Sequence, residues 1–226
     1  MTTAQRGRPG PRRTLTAEAI VDAALRLLDR RGAEAVSVRG IAAELGVAPN
    51  ALYTYFPDKS AVLRAVVDRL VGEYDPAALA DPARPWRDRL HGLALSLRAR
   101  LLAHPGAAGL LLGAPMDGPR ALALGEALLE LLAGAGLDER DAARASYLLI
   151  VYVLGAIALE AAELDPALPV PPEADRVAAR RAALDAVPEE TYPRTAAAAR
   201  TVSRYITTEQ FRWGLDRVLD GLAVKG

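Results

Sequence analysis

Cysteine is absent from this chain, which removes disulfides and thiolate metal sites from consideration. Histidine occurs twice, at His91 and His104, too few for an imidazole metal cluster, and no phosphate loop, metal motif or nucleophile motif appears. Lysine also occurs twice, at Lys59 and Lys225, so arginine carries almost all the positive charge. No strand signal and no repeat of solenoid period can be found. The longest apolar run, Ala145 to Leu159, is interrupted by Ser146 and falls short of the roughly 20 residues that a bilayer span needs. It reads as a buried helix, with no membrane partner expected. The N-terminus is polar and lacks the apolar core of a secretory leader. Together with the missing cysteines, this suits a cytoplasmic protein.

What remains is ample for a helical core. The 226 residues are 51% hydrophobic and carry a formal net charge of zero. That charge is unevenly spread: residues 1–71 hold 11 Arg and Lys against 7 Asp and Glu, while the rest holds 17 against 21. A basic front end on a neutral chain points to a local surface for a polyanion.

The stretch Val36 to Lys59 organises the chain. Ser37 can cap a short helix by accepting from backbone N–H groups two or three residues on. Ile41, Ala42 and Leu45 give that helix a buried face, and Gly46 stops it. Pro49 suits the first position of a second helix. Leu52 and Phe56 supply its inner face, leaving Asn50, Ala51, Tyr53, Thr54 and Tyr55 outward or sideways. Two short helices around a glycine turn read as a helix-turn-helix or as an ordinary helical hairpin.

The order Ile41-Ala42-x-x-Leu45-Gly46-Val47, followed by Leu52-Tyr53-x-Tyr55-Phe56-x-x-Lys59, closely resembles the DNA-binding domain of the TetR family of bacterial repressors. The resemblance is strong from about Thr16 to Val71. It implies an all-α protein: an N-terminal three-helix helix-turn-helix DNA-binding domain plus a C-terminal helical ligand-binding and dimerisation domain. The expected organisation is a flexible basic arm over residues 1–15, the DNA-binding domain with its connecting helix over 16–71, and the effector-binding and dimerisation domain over 72–226. The implied function is a transcriptional repressor that binds a palindromic double-stranded DNA operator as a homodimer and is released by a small apolar or amphipathic effector. No cofactor is expected.

The rest of the chain reads as helices. Thr16 caps a first helix to about Arg31, where Gly32 ends it. Asp58 caps a helix from Lys59 to about Val71, and in the family the tilt of this helix sets the spacing of the two reading heads. Prolines 76, 82 and 85 mark a broken connection. Helices follow over Trp86 to His104, over Ala107 to Gly113 and from Pro119 to about Ala133. A long one runs from Asp138 to about Glu163. Weakly amphipathic helices are expected over Glu173 to Ala186 and Glu189 to Val202. Thr207 and Gln210 form a capping box for a last helix.

Site residues follow from the resemblance. DNA contacts are expected from Ser37, Arg39, Pro49, Asn50, Ala51, Tyr53, Thr54, Tyr55 and Lys59, with Arg6, Arg8, Arg12 and Arg13 following phosphates or entering the minor groove. Arg39 can make a bidentate contact to guanine, or instead pair with a carboxylate such as Glu44. Family members often carry Ser or Thr at the positions of Ala48 and Ala51, so a helix cap and a phosphate contact are missing here. Effector contacts are expected from Leu97, Leu101, Leu112, Met116, Tyr147 and Tyr152, all of which could also be plain core. Dimer contacts are expected from Tyr147, Val151, Leu154, Phe211, Leu215, Val218, Leu219 and Leu222, unless both helices pack within one subunit. Phe211 to Leu222 looks like the tetracycline-repressor branch. That branch places a magnesium-binding histidine in the region of Leu110 to Gly113, and none stands there, which argues against a tetracycline–magnesium effector and leaves no metal site. The alternatives are a helical interaction scaffold, which leaves the arginine arm and the Tyr53–Lys59 pattern unexplained, and a small helical enzyme, to which no motif points.

Overall fold

Local signals set most helix ends in the computed structural model, which describes residues 15–113, 115–166 and 168–222. Helix α1, Ala17–Ala35, begins where Thr16 Oγ1 accepts from Ala19 N at 3.1 Å. Gly32 breaks it with φ 72° and ψ 177°, and the chain resumes helical geometry to Ala35 instead of running out as a loop. Helix α2, Val38–Leu45, is capped by Ser37, whose Oγ accepts from Gly40 N at 3.0 Å. Gly46 ends it in the left-handed region at φ 67°, where a Cβ would be strained. Next comes Pro49–Thr54, a 3-10 helix and not the expected α-helix. Ala48 precedes it without a side-chain cap, so nothing at that end holds a full α-turn.

Asp58 caps α3, Lys59–Gly72, by accepting from Ala61 N at 2.8 Å. Ile20, Leu28, Ile41, Leu52, Val62, Val66 and Leu70 are buried among these elements and form the core of the small N-terminal bundle. The broken connection after α3 contains one further turn of helix, α4, Pro76–Ala80, which Asp75 caps. Then follow α5, Trp86–Ala103, and α6, Pro105–Ala108, which continues as a 3-10 turn over Gly109–Leu112. Helix α7 spans Pro119–Gly134 and α8 spans Glu139–Ala161. Helices α9, Glu173–Asp185, and α10, Pro193–Val202, precede α11, Thr208–Gly221. Thr207 Oγ1 accepts from Gln210 N at 3.2 Å, the N-terminal half of the expected capping box. No strand occurs among the described residues.

By length and composition α8 could cross a membrane. Here it packs against α5, α6, α7 and α11. It also carries Glu160, buried in an ion pair with Arg98 of α5. Arg98 gives Nε and Nη2 to the two Glu160 oxygens at 2.7 Å each, Nη1 to Thr208 Oγ1 at 2.9 Å and Nη2 to Ile206 O at 3.2 Å. One guanidinium therefore fastens α5, α8 and the start of α11. Arg176 of α9 adds a second cation on Glu160 at 2.8 Å.

The small bundle and the larger body meet along α1 with α6 and α3 with α7. At the first seam Gly106 lies so close to the Leu28 carbonyl that a Cβ would overlap it. His104 Nδ1 and Asp29 Oδ2 lie 2.8 Å apart beside this contact. At the second seam Asp68 of α3 caps α7, its Oδ1 accepting from Arg120 N at 3.0 Å and Ala121 N at 2.9 Å. Arg100 of α5 gives a hydrogen bond to Leu70 O at 2.8 Å.

Candidate functional site

The first candidate surface is the outer face of α2 and the 3-10 segment. Leu52 is buried and Phe56 half-buried, so the segment is anchored from beneath. Ser37, Arg39, Pro49, Asn50, Tyr53, Thr54 and Tyr55 are exposed, while Ala51 and Lys59 are half-buried at its edge. Tyr53 is 54% exposed, too open for a core tyrosine. Ser37 Oγ uses a lone pair as helix cap and keeps its proton for an outside acceptor. Around it the first N–H groups of α2 favour an anion.

Glu44 is taken by Arg26 at 3.3 Å and Arg30 at 2.5 Å, so it ties α2 to α1 and leaves Arg39 out. The hydrogen bond from Arg30, then that from Arg26, holds the Glu44 carboxyl below its ordinary pKa. Tyr55 differs from its neighbours: its hydroxyl donates to Leu15 O at 2.5 Å, which fastens the end of the 3-10 segment to the entry of α1. That proton is committed, and Tyr55 offers outside groups only its ring and a lone pair. The expected arm contacts, Arg6, Arg8, Arg12 and Arg13, lie outside the described residues.

The second candidate is a cavity of about 320 Å³ in the larger body. Leu90, Leu93 and Leu97 of α5 form one wall, and Val71 of α3 and Met116 close one end. Leu122, Gly125, Glu126 and Leu129 of α7 form a second wall, with Leu149, Ile150 and Val153 of α8 opposite. This volume suits a small organic ligand, and a mostly apolar wall with few polar groups is what such sites use. Asp68 and Val71 are one turn apart on α3, so the helix that joins the two parts reaches both the cavity and the cap of its α7 wall.

Of the residues expected around an effector, Leu97 and Met116 line this cavity. Leu101 does not, because it turns fully into the core. Leu112 and Tyr147 are 63% and 70% exposed and point away. Tyr152 stands on the far side of α8, where its hydroxyl donates to Phe211 O at 2.8 Å, and burial raises its pKa. The sequence reading missed the α7 wall. The Leu122-x-x-Gly125-Glu126-x-x-Leu129 stripe, one helical face holding a lone carboxylate, was the available signal.

The residues expected at a dimer interface divide in two. Tyr147 and Val151 are exposed and, with Leu148 and Leu159, leave an apolar band along α8. Leu154, Phe211, Leu215 and Leu219 are buried within the chain itself, where α11 packs on α5 and α8, and Val218 and Leu222 are half-buried. Among the described residues no group of three metal-ligating side chains occurs.

Comparison with known proteins gives consistent results. The model of the tetracyclin repressor-like C-terminal domain matches residues 79–225, and that of the bacterial regulatory proteins of the tetR family matches residues 20–66. An HTH-type transcriptional regulator of Saccharopolyspora erythraea is 36% identical over 146 residues, 65% of this chain and 61% of the relative. The matched stretch spans 61% and 57% of the lengths of the first two curated relatives. A possible TetR family transcriptional regulator from Streptomyces coelicolor has a crystal structure that superposes with a TM-score of 0.76 at 33% identity, over 92% of this chain and 98% of that one. The Streptomyces coelicolor TetR family protein ActR, solved in complex with actinorhodin, superposes with a TM-score of 0.75 at 25% identity, over 92% of this chain and 97% of that one.

Proposed function

Because the chain belongs to the TetR family of bacterial regulatory proteins, we propose that it is a cytoplasmic, DNA-binding transcriptional repressor. It binds a palindromic operator as a homodimer and leaves it when a small apolar or amphipathic effector fills the cavity. The observation that carries this reading is the pairing of two features in one fold. An outward face of Ser37, Arg39, Asn50, Tyr53 and Thr54 sits on a small bundle. A cavity sits in the body, and α3 reaches both. Arg39 supplies a guanidinium for guanine and Asn50 an amide for adenine, while Ser37, Tyr53 and the α2 N-terminus meet phosphates. The exposed band of Tyr147, Leu148, Val151 and Leu159 supports pairing of two copies, which places two reading heads on one site.

Release follows from the seam. A ligand that pushes α7 outward moves the N–H groups of Arg120 and Ala121, and Asp68 carries that shift into α3. The reading heads then change their spacing and lose register with successive major grooves.

Fluorescence anisotropy against DNA from upstream of the protein's own gene tests the reading. Tight binding at two chains per site, falling steeply with log salt and lost in Tyr53→Ala, is the expected result. Equal, weak binding to every duplex, including one chosen by genome-wide DNA selection, would overturn it.

A further inference from the structure

We propose that the effector is a cation: an apolar, multi-ring-sized body bearing one protonated amine that sits at Glu126. The inference rests on the reading of the cavity as the effector site and names the ligand class that this particular wall selects.

Every side chain lining the cavity is apolar except that of Glu126. No arginine, lysine or histidine stands in the wall, and no hydroxyl or amide side chain does. An anionic ligand would therefore surrender its hydration without a counter-charge, and a polyhydroxylated one would leave its hydroxyls without side-chain partners. Both are disfavoured by what the wall omits. An apolar body is favoured, because its surface leaves water for a surface of the same kind.

Glu126 supplies the one polar preference. It has no ion-pair partner among the described residues, in contrast to Glu44, Glu73, Glu160 and Glu163, each of which is held by arginine. Its position is at the mouth. Leu122 one turn before it is 57% exposed, and Ile150 across the opening on α8 is 38% exposed. Beyond Arg120 the only charges on α7 are Glu126 and Glu130, four residues apart, so this helix brings only negative charge to the rim. A ligand ammonium at this rim keeps part of its water and gains a carboxylate while the body goes inside.

Gly125 marks the space for that body. It lies in the middle of α7 and lines the cavity, yet a Cβ built on it meets nothing within 4 Å. Mid-helix glycine destabilises a helix relative to alanine. Here no close packing demands it, and its missing side chain leaves the cavity open beside the carboxylate.

Three probes of one shape separate the possibilities: 9-aminoacridine as the cation, anthracene-9-methanol as the neutral body and anthracene-9-carboxylate as the anion. Each is titrated by its own fluorescence into the full chain, and into Glu126→Gln and Gly125→Phe, with circular dichroism confirming that both variants fold. The expected order is cation, neutral, anion. The cation should be favoured over the neutral body by about three- to fivefold, the size of an ion pair at a solvent-touched rim. That margin should shrink in high salt and vanish in Glu126→Gln, which should bind the neutral probe as before. Gly125→Phe should lose all binding. Equal binding of cation and neutral body, tightest binding of the anion, or a cation preference that survives Glu126→Gln would overturn the proposal, while loss of binding in Gly125→Phe would still support the cavity as the ligand site. Failure of all three probes to bind, or binding indifferent to Gly125→Phe, would overturn the cavity reading and this proposal with it.

Discussion

Replacing Arg98 with methionine tests how the body is held together. The side chains of Arg98 and Glu160 are 8% and 5% exposed, and their two hydrogen bonds are both 2.7 Å. Methionine fills much of the arginine stem's volume, so the loss is chiefly electrostatic. Removing one partner of a buried pair costs about 3–5 kcal/mol, because the other charge stays buried without compensation. Here Glu160 keeps Arg176 at 2.8 Å, which places the cost at the lower end, about 3 kcal/mol. Thr208 Oγ1 and Ile206 O also lose a donor. For a chain of this size about 3 kcal/mol lowers the melting temperature by about 6–12 °C. The assay is differential scanning calorimetry at fixed protein concentration, since an assembling protein melts in a concentration-dependent way. A second variant, Arg98→Lys, keeps a cation beside Glu160 without the two-pronged contact and should recover part of the loss. An Arg98→Met variant that melts within about 2 °C of the parent, or an Arg98→Lys variant that melts lower than Arg98→Met, would refute the reasoning.

Other outcomes follow from the same contacts. Arg39→Ala should weaken operator binding by about tenfold, within the 1–3 kcal/mol of a bidentate base contact, and relax one base position with an unchanged dichroism melt; a melt that collapses would make Arg39 structural. Asp68→Ala removes the cap of α7 and should cost about 1 kcal/mol of stability. It should also raise the ligand concentration needed to release DNA while basal DNA affinity holds, and unchanged release would show that the signal takes another route. Acid should destabilise the fold through Glu44 and Glu173. The hydrogen bonds from Arg30 and Arg26 lower the pKa of Glu44. Burial pushes that of Glu173 up, but Thr208 with Arg98 and Arg176 brings it down overall. Both groups thus bind fewer protons folded than unfolded, so their contribution is complete above the ordinary glutamate pKa of about 4.3 and is lost as pH falls through the lower folded values. A urea midpoint that stays level from about pH 6 down to about pH 3 would contradict this assignment.

The sequence by itself determined where most helices begin and end. Ser37, Asp58, Asp138 and Thr207 each accept a backbone N–H three residues on, as their positions before apolar stripes require. Gly46 takes the left-handed turn. These signals act within one turn of helix, so they are legible without neighbours. The outward face of the 3-10 segment was legible too, because Leu52 and Phe56 mark its inner side.

Tertiary structure decided what spacing cannot encode. Leu97 and Leu101 share a face of α5, yet one lines the cavity and the other fills the core, since that depends on which helix lies opposite. Tyr55 looked like a free contact, but the entry of α1 brings the Leu15 carbonyl to its hydroxyl across 40 residues of sequence. Phe211, Leu215 and Leu219 had the apolar spacing of an interface, and it was α5 and α8 of the same chain that covered them. Helical periodicity says that a face must be buried; only the packing of distant segments says against what, and the same packing leaves Glu126 alone at the rim of an otherwise apolar cavity.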